Sequence, residues 1–99
     1  MQLDELLIAA AEAPPESRIE FRDAIAGHQD DAVEKLMAAE WIGDPKYAGF
    51  AVQTIRRAGE LGARTAPDAL RRAASLVTTE WHRQDIEMAL VSLGARRGR

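Results

Sequence analysis

Apolar residues in this chain recur at three- and four-residue spacing almost throughout, and no segment alternates cleanly at period two. That pattern predicts helices and no sheet. Leu3, Leu6, Leu7 and Ala10 share one face of a first helix over Asp4–Ala13. Pro14 and Pro15 end it, because proline cannot donate the hydrogen bond that continuation needs. In "SRIE", Ser17 as N-cap and Glu20 reaching back predict a capping box. The helix that follows would align Phe21, Ala24, Ile25 and His28, and Gly27 would close it. A third helix is predicted from Asp30 or Asp31, with Val33, Leu36 and Met37 inward and Gly43 after it.

The clearest start signal lies in "GDPKYAGFAVQTIRRAG", residues 43–59. Asp44 is an N-cap, and Pro45 sits at the first helical position, where its missing N–H has no intrahelical partner to lose. Ala48, Ala51, Val52, Ile55 and Ala58 form the stripe, and Gly59 or Gly62 stops this fourth helix. Thr65, Pro67 and Asp68 open a fifth, with Leu70, Ala73, Ala74 and Val77 inward. "TTEW" opens a sixth, with Ile86, Ala89, Leu90 and Leu93 inward and Gly94 as its cap. Phe50 and Trp81 lie opposite their stripes, with Met88 beside Trp81 on the sixth helix, and both aromatic rings are expected to be core on a second face, the alternative being an exposed aromatic anchor for a partner. The prediction is an all-α fold of about six short helices, a single domain over residues 1–94. The basic tail "ARRGR", residues 95–99, is expected to be disordered, since it has no apolar anchor.

The chain has 99 residues, enough for one core, and a composition ordinary for a globular domain. It has no cysteine, which excludes disulfides and thiolate metal sites. A reducing, cytoplasmic location is the expectation that goes with this. The N-terminus carries acids where a secretory signal carries bases, and its apolar run is short, so no signal, anchor or membrane span is expected. Net charge is −3, but residues 1–55 hold four bases and eleven acids while residues 56–99 hold nine arginines and five acids. Charge split in this way can steer an acidic partner or a nucleic acid to one end of a molecule.

Two stretches echo one another. "DAVEKLMAA" at 31–39 is similar to "DALRRAASL" at 68–76, and "AVQTI" at 51–55 to "ALVSL" at 89–93. With Asp44-Pro45 followed by Ala48, Ala51, Val52, Ile55 and Gly59, the chain resembles the HEAT-like (armadillo-type) helical repeats. The resemblance implies two to three antiparallel hairpins: a capping hairpin over 1–29, a first clear repeat over 30–62 and a second over 63–94. The second copy departs from the pattern, having "TTEWHRQD" where the Asp-Pro turn would stand.

Catalytic constellations are sparse. His28 and His82 both fall at the edge of apolar stripes. His82 and Asp85 are spaced to share a metal, but two ligands do not make a site. "GELGAR" at 59–64 lacks the preceding strand and the Lys-Ser/Thr pair of a phosphate loop. No enzyme activity, cofactor or metal is expected. The arginines are more suggestive. Arg56 and Arg57 end the fourth helix, Arg64 follows in the loop, and Arg71 and Arg72 face away from the fifth stripe, where Asp68 could pair with Arg72. These five are the candidate partner-binding residues, because the guanidinium grips carboxylate or phosphate in bidentate fashion. A helix-turn-helix reading of residues 30–59 is disfavoured by the long, proline-started turn "EWIGDP". The expected function is a non-catalytic interaction or scaffold module that binds a protein partner. The alternatives are a nucleic-acid-binding accessory domain using the arginines, or a self-associating subunit whose acidic first half meets the basic second half of another copy.

Overall fold

In the computed structural model, which describes residues 1–96 and the side chains of residues 1–94, helix α1 spans Leu3–Glu12. Leu6, Leu7 and Ala10 are buried on its inner face. Glu5 Oε1 accepts the Gln2 backbone N–H at 3.0 Å, so a capping interaction stands here at the first helix. None forms at Ser17. Instead Pro14 is the N-cap residue of the next helix and Pro15 occupies its first position, so α2 (Pro15–Arg18) begins three residues earlier than the Ser17 signal implied. Proline at that position is already set to helical φ, and this decides the start.

A 3-10 turn over Ile19–Phe21 joins α2 directly to α3 (Arg22–Ala26). The tighter turn advances each residue by about 120° rather than 100° and shifts the phase of everything after it. The predicted stripe Phe21–Ala24–Ile25–His28 is corrected accordingly: Ile25 and Ala26 are buried, while Ala24 is exposed.

α4 (Asp30–Leu36) buries Ala32, Val33 and Leu36. Its N-cap is Gln29 at φ 53°, the one non-glycine residue with positive φ among those described. After α4 the chain turns through residues 37–44, and this loop carries two buried apolar residues, Trp41 and Ile42. Their N–H groups both donate to Ala38 O, at 2.9 and 3.0 Å. A turn has no periodicity to betray such residues.

α5 (Pro45–Glu60) starts as predicted, with Asp44 Oδ1 accepting the Lys46 N–H at 2.9 Å. Ala48, Ala51, Val52, Thr54, Ile55 and Ala58 are buried, so the core extends around more than the predicted stripe. Gly62, at φ 115°, ends the helix in a Schellman arrangement: Ala63 N–H donates to Ala58 O at 2.8 Å and Gly62 N–H to Gly59 O at 3.1 Å. Helices α3, α4, α6 (Ala66–Ala73) and α7 (Glu80–Arg96) all pack on α5.

α6 buries Ala66, Ala69, Leu70 and Ala73, and α7 buries His82, Ile86, Ala89 and Leu93. The predicted cap at Gly94 is corrected, because α7 continues to Arg96. Glycine stops a helix where the chain enters the left-handed region, and Gly62 is the only described glycine that does so. Of the expected tail, Ala95 and Arg96 close α7, and residues 97–99 lie outside the described residues. No strand occurs among the described residues, and the fold is all-α. No helix among them is long and apolar enough to cross a membrane.

Candidate interaction surfaces

Two arginines outside the candidate set hold the corners of the fold. Arg18 is 5% exposed, and its Nε and Nη2 donate to Ala10 O at 2.8 Å and Ala13 O at 3.0 Å. Tyr47 Oη donates to Ala11 O at 3.2 Å, and the Arg18 guanidinium lies 4.8 Å from the Tyr47 ring centre. Between them they satisfy carbonyls that the end of α1 leaves open. Arg83 does the same for α6, donating to Ala74 O at 3.2 Å and Val77 O at 3.3 Å. Both donors follow the carbonyls they hold by less than three helical turns in sequence, yet nothing in the apolar pattern marks them.

The five candidate arginines separate in space. Arg57 is half-buried and bridges to Asp23 on α3 at 3.2 Å and to Glu60 at 3.0 Å. Hydrogen bonding to Glu60 and the Asp23 charge raise its pKa further above its ordinary value. Arg22 and Arg57 together lower the Asp23 carboxyl below the usual range, the Arg22 hydrogen bond most. Arg56 is half-buried, and its Nε is enclosed without a hydrogen-bond partner among the described residues.

Arg64 and Arg71 come together. They line a cleft of about 470 Å³ between α6 and α7, with Pro67, Asp68, Leu90, Leu93 and Gly94. Asp68 pairs with Arg71 at 2.6 Å, correcting the expected pairing with Arg72. The i, i+3 partner wins because Arg71 leans back over the preceding turn toward Asp68. Arg72 is exposed, and neither it nor Arg64 takes part in an ion pair among the described residues.

The largest departure from expectation lies on α7. Trp81 is 69% exposed, which corrects its placement as second-face core. Phe50 is half-buried, with its ring centre 6.0 Å from that of Trp41. The difference is one of position: α5 lies among four helices, whereas α7 rests on α5 and α6 and turns its far side to solvent. Met88 and Val91 share that side at 71% and 72% exposure. Sequence periodicity placed Ile86, Ala89, Leu90 and Leu93 inward, where the structure has them, but did not show that the second apolar face would stay uncovered.

His82 is buried, with Nδ1 2.7 Å from Thr79 Oγ1. Its ring borders a cleft of about 300 Å³ with Pro15, Arg18, Phe50 and Gln53. It thus engages Thr79, the residue just before α7, and Arg18 is already committed to backbone carbonyls. Among the described residues no three of His, Asp or Glu come together as a metal site would require. Compared with known protein families, curated proteins and solved structures, the chain matches none of them.

Proposed function

We propose that this chain is a non-catalytic, HEAT-like helical interaction module that binds a protein partner in the cytoplasm, with the outer side of α7 as its contact surface. One observation carries the reading: Trp81, Met88 and Val91 lie on one helix face and are 69%, 71% and 72% exposed. Single exposed apolar residues are unremarkable, but three large ones along one helix face are a signature of interfaces. Tryptophan and methionine are enriched at interface centres, and tryptophan is among the commonest hot-spot residues. The central helix α5, enclosed by its neighbours, gives α7 a rigid backing.

A second reading keeps the arginines. Arg64 and Arg71 share a cleft, and Arg72 stands exposed on the same helix, an arrangement that suits a phosphate or carboxylate. The two readings separate by mutation. Trp81→Ala with Met88→Ala should leave melting within a few degrees of wild type, since exposed substitutions typically change stability by under about 0.5 kcal/mol. The same variant should lose the partner captured from host extract. The triple variant Arg64→Glu, Arg71→Glu, Arg72→Glu should keep it. The opposite outcome transfers the interface to the arginines. Binding by a nucleic acid would then show log affinity falling by about 0.9 per phosphate contacted for each unit of log salt.

A further inference from the structure

The outward residues of α7 are not scattered. Trp81, Gln84, Met88 and Val91 follow one another at spacings of three, four and three, and all four are exposed. This is the a/d register of a coiled-coil seam, on the side opposite Ile86, Ala89 and Leu93. The flanking positions of that register hold Glu80 and Glu87 along one edge and Asp85 and Ser92 along the other. Arg83 lies 3.5 Å from Glu80 and offsets it. Beyond the Glu87 edge, Arg71 is held by Asp68. Asp85 and Glu87 therefore border the seam, one on each side of Met88, with no ion pair to either among the described residues.

Resting on the reading that the outer side of α7 is the interface, we infer that its occupant is an amphipathic helix of a partner protein, with an apolar stripe between lysine or arginine flanks. The flanking charges of a helix pair set partner choice and orientation. A basic-flanked helix places cations against Asp85 and Glu87 while its apolar stripe covers Met88 and Val91. A second copy of this chain fits poorly. Neither pairing brings a cation to these acids: parallel pairing sets Asp85 against Glu80 of the other copy, whose charge Arg83 only offsets, and antiparallel pairing about Met88 sets Glu87 near its own counterpart. Like charges so placed act against self-pairing.

The test uses two synthetic amphipathic helical peptides of equal length, with leucine at the seam positions. One carries lysine at the flanks and the other glutamate. Fluorescence anisotropy of labelled peptide should show the lysine peptide binding the full chain at least about tenfold more tightly than its acidic twin. Asp85→Lys with Glu87→Lys should reverse that order. Met88→Asp should abolish binding of the lysine peptide even though it adds negative charge, which rules out attraction by net charge alone. Equal binding, an order that survives the charge reversal, or no binding overturns the inference. So does a dimer in analytical ultracentrifugation that Met88→Asp dissolves, since the occupant would then be a second copy. Failure here leaves the broader reading intact if Trp81→Ala with Met88→Ala still loses the host partner. Retention of that partner would sink the broader reading instead.

Discussion

Two glycines on α5 occupy contrasting surroundings where α7 crosses it. A Cβ at Gly59 would lie 2.9 Å from Leu93 Cδ1 and 3.0 Å from Ala66 Cβ, closer than packed atoms come. A Cβ at Gly49 would meet His82 Nε2 at 3.5 Å, an ordinary contact. Both positions are helical, so alanine would gain the same advantage in backbone entropy at each. The neighbours decide the sign. Gly49→Ala should raise stability by about 0.5–1 kcal/mol. Gly59→Ala should lower it by about 1 kcal/mol, because overpacking of about 1–3 kcal/mol exceeds the propensity gain. Urea unfolding of the two variants checks this, and equal shifts would show that α7 is free to move away.

At the scale of the element, the helices differ in how they begin and end. α5 is bounded locally, by Asp44 and Pro45 at one end and by Gly62 at the other. Asp44→Ala removes the acceptor of the Lys46 N–H and should cost about 1 kcal/mol. Asp44→Asn, which keeps an acceptor oxygen, should recover most of it in the same thermal melt. α1 and α6 end differently, on the side chains of Arg18 and Arg83, which lie five to nine residues further along the chain. Local signals of the first kind are legible in sequence, which is why α5 begins where its residues predict. Closure of the second kind depends on where the chain returns, whereas the Ser17 capping signal was overridden by a competing local one, Pro15 at the first helical position.

For the whole molecule, the corner between α3 and α4 is clipped to the loop between α5 and α6. Gln29 Nε2 donates to Leu61 O at 3.0 Å, and Asp30 Oδ1 accepts the Thr65 N–H at 3.0 Å and its hydroxyl at 2.7 Å. The Thr65 backbone hydrogen bond is the main cause that holds the Asp30 carboxyl below its ordinary value of 3.8, and the Asp23 carboxyl is held down by Arg22 and Arg57. A carboxyl that protonates more readily unfolded than folded contributes stability above its unfolded pKa and loses it as pH falls through the folded one. The urea midpoint should therefore drop as acid is added below about 3.8. Asp30→Asn should be less stable at neutral pH and show a shallower acid drop. An unchanged acid profile in that variant would mean that the clip does not form in solution.

Helix type and most inward faces were determined by the sequence alone, because three- and four-residue apolar spacing, proline at first positions and a glycine stop act within one or two turns of chain. The candidate surface was only half legible: α7 read as apolar on two sides, and the arginines read as a group. That the second apolar face of α7 meets solvent, why Arg57 turns to Asp23 while Arg64 and Arg71 share a cleft, and how Trp41 and Ile42 enter the core from a turn were decided by tertiary structure. These depend on contacts between residues far apart in the chain. Covering one apolar face and exposing another is a property of the neighbours a helix acquires, and no local pattern carries that information.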